Sequence, residues 1–462
     1  MEKKYTFKDK KITVMGLGLH GGGLGTTKWL AEQGANILVT DLKSKAELKE
    51  SIDKLKKYKI KYVLGKHRAE DFKNADMIIK NPGVPRESQL LKIATNHKIP
   101  IETDLSLFFS ICNSPTIGIT GTKGKSTTTW LIYKFLKAAK SNPVIAGNVK
   151  ISPLSILNKI KPNTPVVLEL SSWQLEDMQQ IKKSPNIAII TNLMPDHLNR
   201  YKSMSEYVKS KKLILKFQTS KDIAILNYDN ELTREFGKQV KGRRFWFSGN
   251  KEVNEQNSCF VRKGWIIFRQ YGEENIICPI KDIKVPGQHN LENILAAIVV
   301  AKVSSVSNII IRKVLKDFKG VPDRLELIRT WKGIRFYNDT TATAPDAAIA
   351  GLKSFDEKVI LLAGGYDKKL KYDKFAEMIK QKSNFTYLFK GDASDKLVKE
   401  FNKIGYKNWQ VIKNMPEGVG KAIKKIGDAK IILLSPGAAS FGMFVNEFDR
   451  GDKFKELVKK LK

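Results

Sequence analysis

The sequence predicts an α/β protein of three domains, each built on a mainly parallel β-sheet. Its length of 462 residues exceeds what one hydrophobic core supports, and at roughly 150 residues per domain it corresponds to about three domains. Apolar, β-branched runs alternate with amphipathic helical patterns along the whole chain. Glycine-rich loops follow the first strand and a strand near residue 120, as they do in nucleotide-binding α/β folds.

The first predicted domain covers residues 1–113 and ends at the linker-like "CNSP". Its first strand leads into Gly16-x-Gly18-x-x-Gly21, and Asp41 follows the second strand. This is the outline of a dinucleotide-binding fingerprint, in which glycines let backbone N–H groups approach a pyrophosphate. The pattern predicts a Rossmann-like domain. Alone it is a weak signal, so a nicotinamide or flavin cofactor stays open at this point.

The central domain, residues 114–319, opens with the apolar strand "TIGIT" and the loop Gly121-Thr-Lys-Gly-Lys-Ser126, followed by an amphipathic helix. Strand, glycine loop, Lys-Ser and helix together are typical of a P-loop. Ile119 replaces the first glycine of the strict pattern. We expect Lys125 to reach the β- and γ-phosphates of a nucleotide and the Ser126 hydroxyl to bind Mg²⁺. The sequence therefore predicts a mononucleotide-binding sheet.

Acidic and basic residues follow the next strands of this domain. Glu169 ends the apolar strand "VVLE", where it can hold a divalent ion or merely cap a loop. Asp196-His197 follows the strand "NIAII" and could contact a metal or a phosphate. On sequence alone, Lys211 in "YVKSKKLIL" would be an ordinary solvent-exposed lysine. Farther on, "RRFWFSGN" and "CFVRKGWIIFRQ" predict an antiparallel insertion with a turn at Lys263-Gly264.

The third domain, residues 320–462, repeats the order of strand, loop and helix in "IRFYNDTTATAPDAA", "KVILLAGG", "FTYLFKG" and "KIILLSPGAASFGMF". This order predicts a second Rossmann-like domain. We find no internal repeat and no low-complexity segment.

Charge, hydropathy and cysteine content limit the classes of function that we expect for this protein. The formal net charge of +35 comes from lysines interleaved with acidic residues along most helices, and no single basic stripe argues for nucleic acid as the main partner. The N-terminus lacks the pattern of a signal peptide, and no apolar stretch reaches the roughly 20 residues of a membrane span. We therefore expect a cytoplasmic protein. Cys112, Cys259 and Cys278 are too scattered for a disulfide framework or a zinc site.

Six motifs together resemble the Mur ligase family over essentially the full length: "GITGTKGKST", "LELSSWQLE", "NLMPDHLNRY", "GQHNLENILAA", "NDTTATAPDAA" and "LLSPGAASFGMF". The resemblance implies ATP-dependent amide formation through an acyl phosphate. It favours addition of glutamate to UDP-N-acetylmuramoyl-L-alanine in peptidoglycan precursor synthesis, and D-glutamate is the enantiomer that it favours. An L-glutamate-adding variant and another Mur or folylpolyglutamate-type ligase remain alternatives, and a dehydrogenase or a nucleic-acid ATPase is a more distant one.

The resemblance also implies roles for single residues. Lys125 would stabilise the transferring phosphoryl group, Ser126 and Glu169 would hold one Mg²⁺, and His197 would contact a second. Lys211 matches the family's carbamylated lysine. The resemblance therefore favours a functional role for Lys211 over an ordinary solvent-exposed position. The residues implied in ATP binding are Gly121, Thr122, Lys123, Gly124, Lys125, Ser126, Thr127, Asn293, Arg324 and Asp339. Asn293 could equally cap its helix, Arg324 could be a surface residue, and Asp339 could start a turn.

Two further sets concern the other substrates. The residues implied in binding the UDP-linked substrate are Gly18, Leu19, His20, Asp41, Asn81, Pro82, Gly83 and Asn148. Those implied in binding the amino acid are Thr343, Lys368 and Ser440. Thr341 stands where the family has lysine and Glu447 where an aromatic is usual, so the amino-acid pocket departs from the pattern. The implied partners are small molecules, with neither nucleic acid nor a membrane, and the chain is expected to be a monomer.

Overall fold

The computed structural model describes residues 5–18, 21–195, 201–367, 370–440 and 442–461. It contains three β-sheets, of five, nine and six strands, each mainly parallel and combined with helices, which confirms the α/β class. The chain forms two compact units. The first comprises Met1–Ile280 with Glu292–Val314, and the second Lys281–Leu291 with Leu315–Lys462. Within the described residues, every helix is too short or too polar to cross a lipid bilayer.

The first sheet is entirely parallel, in the order β3-β2-β1-β4-β5. Because β2 and β4 lie on opposite sides of β1, the strand order reverses there, and the carboxyl ends of β1 and β4 border the crevice in which such sheets bind ligands. Its elements are β1 (Lys11–Met15), α1 (Gly22–Glu32), β2 (Asn36–Asp41), α2 (Lys49–Asp53), β3 (Ile60–Leu64), α3 (Glu70–Lys73), β4 (Met77–Lys80), α4 (Gln89–Asn96), β5 (Ile101–Glu102) and α5 (Asp104–Ile111).

The central sheet has the order β14-β13-β12-β11-β10-β9-β6-β8-β7, with the P-loop strand β6 between β8 and β9. Its elements are β6 (Thr116–Thr120), α6 (Lys125–Ala138), β7 (Val144–Gly147), a 3₁₀ helix (Pro153–Lys159), β8 (Val166–Glu169), α7 (Ser172–Ile181), β9 (Ile187–Ile190), α8 (Met204–Lys216), β10 (Ile223–Asn227), α9 (Glu231–Gly237), β11 (Arg243–Ser248), β12 (Ser258–Arg262), β13 (Trp265–Gln270), β14 (Glu273–Pro279), a 3₁₀ helix (Ile280–Asp282), α10 (Gln288–Val303) and α11 (Asn308–Asp317).

The antiparallel insertion consists of a different set of strands from the one expected, namely β12, β13 and β14. β12 and β13 form the predicted hairpin, and its turn residues Lys263 and Gly264 both have positive φ, of 48° and 78°, as a two-residue hairpin turn requires. However, β11, the "RRFWFS" strand, pairs in parallel with both β10 and β12. The antiparallel part therefore begins one strand later than the sequence suggested, because strand pairing depends on non-local neighbours that the local pattern does not reveal.

The third sheet has the order β15-β16-β20-β17-β18-β19, and only β15 runs antiparallel to its neighbour. Apolar residues cover both of its faces. Its elements are β15 (Glu326–Trp331), β16 (Ile334–Asn338), α12 (Pro345–Lys353), β17 (Val359–Gly364), α13 (Asp373–Lys382), β18 (Ser383–Phe389), α14 (Asp392–Lys403), β19 (Trp409–Ile412), α15 (Met415–Lys424), β20 (Ile431–Leu434) and α16 (Glu447–Lys459).

The first two sheets share one hydrophobic core. Helix α5 begins with a capping box between Thr103 and Ser106, and its Leu105 and Phe108 are fully buried. They belong to the same apolar cluster as Val14 of the first sheet and Leu168 of the central sheet. The glycine loop after β1 and the P-loop after β6 therefore stand on one continuous scaffold.

Candidate active site

The loop Gly121–Gly124 lies between the fully buried strand β6 and helix α6. A Cβ added to Gly121 would lie 1.9 Å from Thr191 Oγ1, and one added to Gly124 would lie 2.0 Å from Asn293 Oδ1. Both glycines also have positive φ, of 145° and 85°. Only glycine fits these positions, which leaves the backbone and the positive N-terminal end of α6 accessible to an anion.

The segment after β9 holds the P-loop in place. The backbone N–H groups of Thr122 and Lys123 donate to the main-chain and side-chain oxygens of Asn192, each at 2.9 Å. Thr191 Oγ1 donates to the Lys123 carbonyl at 2.5 Å. The loop is therefore preorganised, which lowers the entropic cost of binding a nucleotide. These anchors were not predicted from the sequence, although their position directly after a strand neighbouring β6 was a usable signal.

Lys125 begins α6 and is partly buried. Its Nζ donates to the carbonyls of Gly121 and Thr122, both at 3.0 Å, so the ammonium group lies over its own loop. Ser126, the next residue, is 7% exposed. A cation and a hydroxyl thus meet at the predicted phosphate position, where they suit a nucleotide triphosphate and its metal ion.

Glu169 ends β8 and is fully buried, in register with Ile119 of β6. Its Oε1 accepts a hydrogen bond from Asn148 Nδ2 at 2.7 Å. Its Oε2 is buried and has no hydrogen-bond partner within the described residues. An orphaned carboxylate oxygen beside a phosphate loop fits a divalent cation, since buried charges in proteins are paired or bind metals. No group of three or more His, Cys, Asp and Glu side chains accompanies it in the described part of the chain.

Lys211 points into the protein from α8 and is 2% exposed, so the solvent-exposed reading from sequence alone was wrong. Its Nζ lies 3.4 Å from Thr120 Oγ1, at the end of β6, and 5.1 Å from the centroid of the Tyr207 ring. The Tyr207 hydroxyl in turn lies 3.1 Å from Thr122 Oγ1 of the P-loop. Helix α8 therefore places Lys211 directly beside the P-loop strand.

Asn293 contacts the same loop. It lies in α10, is 3% exposed, and its side-chain oxygen packs against Gly124, while its carbonyl accepts from Thr128 Oγ1 at 3.5 Å. The structure thus brings Asn293 to the P-loop.

The predicted residues of the first sheet also converge. Asp41 Oδ2 accepts from the backbone N–H groups of Leu17 and Gly18, at 2.9 and 3.1 Å. In this structure the carboxylate therefore organises the glycine loop. The turn Asn81–Gly83 lies beside it, because Asn81 Nδ2 donates to the Gly16 carbonyl at 3.4 Å and the Gly83 N–H donates to Asn81 Oδ1 at 3.1 Å.

In the second unit, Asp339 follows β16 and is 6% exposed. Its oxygens accept from the Leu325 N–H at 3.2 Å and from Ser435 Oγ at 2.7 Å. Burial raises the pKa of Asp339 to about 7, although its hydrogen bonds and the nearby exposed Arg324 lower it in part. The structure therefore brings Arg324 and Asp339 into one loop cluster.

Hydrogen bonds connect the segment that carries Thr343 with the segment that carries Ser440, also within the second unit. The Gly437 N–H donates to the Ala342 carbonyl at 2.8 Å. Arg450 of α16, which is fully buried, donates to the Thr340 carbonyl at 2.9 Å and to the Ala438 carbonyl at 3.3 Å. Burial lowers the pKa of Arg450 to about 9.

Arg450 was not predicted from the sequence as a residue of this site. Its four-residue spacing from Phe454 and Val458 on the buried stripe of α16 was the available signal. The two departures from the family pattern lie nearby, since Thr341 Oγ1 donates to the Asp323 carbonyl at 2.8 Å and the Glu447 carbonyl accepts from Thr340 Oγ1 at 2.6 Å.

Four predicted site residues, Leu19, His20, His197 and Lys368, lie outside the described residues. The others lie at strand ends, in the loops that adjoin the strands or at the start of α6, except for Lys211 on α8 and Asn293 on α10. The described geometry consists of a preorganised phosphate loop, a buried carboxylate with one free oxygen beside it, and a glycine loop on the same scaffold.

Comparison with protein families gives three matches that follow the three sheets. Residues 10–103 match the Mur ligase MurD-like N-terminal domain, residues 119–301 the Mur ligase middle domain, and residues 323–437 the Mur ligase glutamate ligase domain.

Curated relatives match over the full length. The chain is 40% identical to a UDP-N-acetylmuramoylalanine–D-glutamate ligase of Roseiflexus sp. (strain RS-1), covering 97% of this chain and 98% of the relative. It is 38% identical to the protein of the same name from Acetivibrio thermocellus, covering 98% and 97%.

Solved structures support the fold. UDP-N-acetylmuramate-alanine ligase MurC from Thermotoga maritima aligns with a TM-score of 0.61 at 21% identity, covering 98% of this chain and 100% of that one. A pseudomurein peptide ligase type C from Methanothermus fervidus aligns with a TM-score of 0.56 at 20% identity, with the same coverage.

Proposed function

The chain belongs to the Mur ligase family, and from that premise we propose that it joins D-glutamate to UDP-N-acetylmuramoyl-L-alanine, with ATP as phosphoryl donor, in peptidoglycan precursor synthesis. The observation that carries the proposal is the preorganised P-loop beside buried Glu169, whose Oε2 has no partner among the described residues. The names of the full-length relatives favour D-glutamate over the L-glutamate variant and over other ligases.

Catalysis of this reaction depends mainly on positioning of the substrates and on stabilisation of the charge that develops in the transition state. The carboxylate of the UDP-linked substrate attacks the γ-phosphorus of ATP, and ADP leaves. The neutral amine of glutamate then attacks the acyl carbon; phosphate leaves, and the amine nitrogen loses one proton as the amide forms. Lys125 and the N-terminal end of α6 stabilise the negative charge that builds on the transferring phosphoryl group. A P-loop that is held by Asn192 before binding keeps these donors aligned.

Ser126 and Glu169 are the residues that would hold Mg²⁺, with His197 contributing at a second site. Bound there, Mg²⁺ neutralises phosphate charge and polarises the phosphoryl group. Glu169 Oε2 has no hydrogen-bond partner among the residues that the structure describes, and this supports the assignment. Asn148, which orients the other oxygen, fixes the direction in which Oε2 points.

We also propose that Lys211 is carbamylated. Its burial beside the end of β6 supports this, because an ammonium group loses its hydration there, whereas a carbamate is an anion that can bind a cation. The ammonium group first loses a proton, and the neutral Nζ then forms a bond to CO₂ with loss of a second proton.

The remaining substrates are assigned to the other sheets. Gly18, Asp41 and Asn81–Gly83 border the site for the UDP moiety, with Leu19 and His20 along it, and Asn148 approaches the sugar. Arg324 and Asp339 contact ATP, Asn293 contacts adenine, and Thr343, Ser440 and Lys368 receive glutamate. The clustering of Arg324 with Asp339 and of the Thr343 and Ser440 segments supports these assignments.

We propose domain boundaries at 113/114 and 319/320. We also propose that the chain is a monomer that acts in the cytoplasm. Its proposed partners are small molecules, with neither nucleic acid nor a membrane among them. The segment boundaries of the family matches are compatible with these limits.

Phosphate release tests the proposed function. We expect release only when ATP, Mg²⁺, UDP-N-acetylmuramoyl-L-alanine and D-glutamate are all present. Replacing D-glutamate by L-glutamate is the matched control and should give little turnover. Turnover with a different amino acid and with neither glutamate enantiomer would contradict the proposal.

A further inference from the structure

A buried ion pair links the first sheet to the central one. Lys80 Nζ lies 3.2 Å from Asp177 Oδ1 and 3.3 Å from Oδ2. Lys80 is 5% exposed and Asp177 is 3% exposed. Half-buried Arg86 donates to Asp177 Oδ1 at 2.8 Å from the loop that follows β4. Both cations come from the first sheet and its loops, and the carboxylate comes from α7.

A second carboxylate faces the same lysine. Lys80 and Asp104 line one cavity of about 10 Å³, together with Gly16 and Asn81. The cluster thus contains two cations and two carboxyl groups, close to charge balance. Desolvation makes such buried pairs weak contributors to net stability, whereas their strict geometry can specify one arrangement of the elements they join.

The ion pair lies between two functional segments. On one side, Lys80 directly precedes Asn81–Gly83, and the Asn81 N–H donates to the Met15 carbonyl at 2.9 Å, at the end of β1. On the other side, Asp177 lies in α7, whose N-cap Ser171 follows Glu169 by two residues and is fixed by a capping box with Gln174. Helix α7 therefore connects Asp177 directly to the strand end that carries Glu169.

We propose that Lys80 and Asp177 are positioning residues, whose ion pair sets the distance between the segment that binds the UDP-linked substrate and the phosphoryl-transfer site. The inference rests on the proposed function. It deepens that function, because the acceptor carboxylate must reach the γ-phosphate from a substrate held on a different sheet. Misplacement of reacting groups by about 1 Å can slow a reaction by about 100-fold.

Three variants test the proposal: Lys80→Met, Asp177→Asn and the apolar double variant Lys80→Met/Asp177→Leu. The double variant removes both charges together, so it leaves no unpaired partner within the pair and is expected to fold. Steady-state kinetics are measured well below each melting temperature, with urea unfolding as a separate measure of stability. Lys92→Met, at an exposed position on α4, is the matched control and should behave as the unmodified chain.

We expect all three variants to lower kcat by about 10- to 100-fold and to raise KM for the UDP-linked substrate. KM for ATP should change by no more than about 2-fold, because the P-loop is anchored by Asn192 and not by the ion pair. The double variant should lower kcat by less than the product of the effects of Lys80→Met and of a matched single variant Asp177→Leu, as expected for residues that act as a pair.

A purely structural role gives a different result. In that case the variants lose stability while the folded fraction keeps its kcat and both KM values, which would overturn the proposal. If the double variant does not fold, Arg86→Met on the half-exposed side of the cluster is judged by the same criteria. Absence of turnover in the unmodified chain contradicts the proposed function itself and is seen before any variant is compared.

Discussion

Asn148 donates a hydrogen bond to Glu169 across 2.7 Å, which links a residue predicted to approach the sugar of the substrate with a predicted metal ligand. The bond occupies Glu169 Oε1 and leaves Oε2 with no partner among the described residues. The proposed substrate side and the proposed phosphoryl-transfer side of the site therefore share one carboxylate.

Replacing that carboxylate should separate metal binding from folding. We expect Glu169→Gln to lower kcat by about 100- to 1,000-fold, because removal of a group that acts on transition-state charge has effects of this size. Without Mg²⁺, the free energy of unfolding should equal or exceed that of the unmodified chain, since a buried charge with a free oxygen has been removed. Urea unfolding with and without Mg²⁺ and ATP provides the measurement. A variant stabilised by Mg²⁺-ATP as strongly as the parent would contradict Glu169 as a metal ligand.

Lys211→Ala should be inactive and should regain partial activity when acetate or another short carboxylic acid is added. The acid would fill the space of the side chain and supply the anion that the carbamate provides. Lys212→Ala, on the neighbouring position of α8, is the matched control and should keep its activity without the acid. Mass spectrometry of the native protein should also show one added CO₂. Full activity of Lys211→Ala would refute the carbamate.

Arg450→Met should impair glutamate binding more than binding of the other substrates. The change leaves the Thr340 and Ala438 carbonyls without their guanidinium donor, and each unsatisfied buried acceptor costs about 1–3 kcal/mol. We expect KM for D-glutamate to rise by about 10- to 100-fold and KM for UDP-N-acetylmuramoyl-L-alanine to stay within about 2-fold. Lys453→Met on the exposed face of α16 controls for the loss of a positive charge. Equal changes in both KM values would indicate general disorder instead.

Asp104 should make stability depend on pH. Burial raises its pKa to about 6, so the folded chain binds this proton more tightly than the unfolded chain does. The resulting stabilisation is complete below about pH 4 and is lost as the pH rises through 6, amounting to about 3 kcal/mol at roughly 1.4 kcal/mol per pKa unit.

Asp104→Asn removes this proton exchange. Relative to the parent, the variant should therefore gain in free energy of unfolding between pH 4.5 and pH 7.5, as measured by urea titration at both values. Asp373→Asn, at an exposed position, should show no such gain. Parallel pH profiles of parent and Asp104→Asn would contradict the prediction.

The sequence predicts most of the fold and the P-loop because their signals are local. The order of β6, the glycines and α6 occupies consecutive residues, and the φ values of Gly121 and Gly124 follow from the same short pattern. The hairpin at Lys263-Gly264 is local in the same sense. The parallel pairing of β11 was not predicted because strand pairing depends on contacts with strands that are distant in the sequence.

The candidate site likewise contains residues that a local sequence pattern predicts and contacts that no local pattern predicts. Glu169 was predicted as a site residue because it ends an apolar strand, but its hydrogen bond to Asn148 joins residues from two strand ends and has no sequence signature. Lys211 is one of several lysines on α8, and only packing against β6 decides which of them is buried. Arg450 interrupts an apolar stripe, yet the two loops that it joins are 110 and 12 residues away.

The core shared by the first two sheets limits how this chain can be divided or recombined. A fragment ending at residue 113 would expose Leu105 and Phe108 of α5, which are fully buried against the central part of the chain. Such a fragment should aggregate, since large apolar patches do so in water. A chimera that exchanges only the first sheet with a relative must also match the surface that α5 covers. The glycine-loop and P-loop segments are therefore expected to be inherited together, as one evolutionary module.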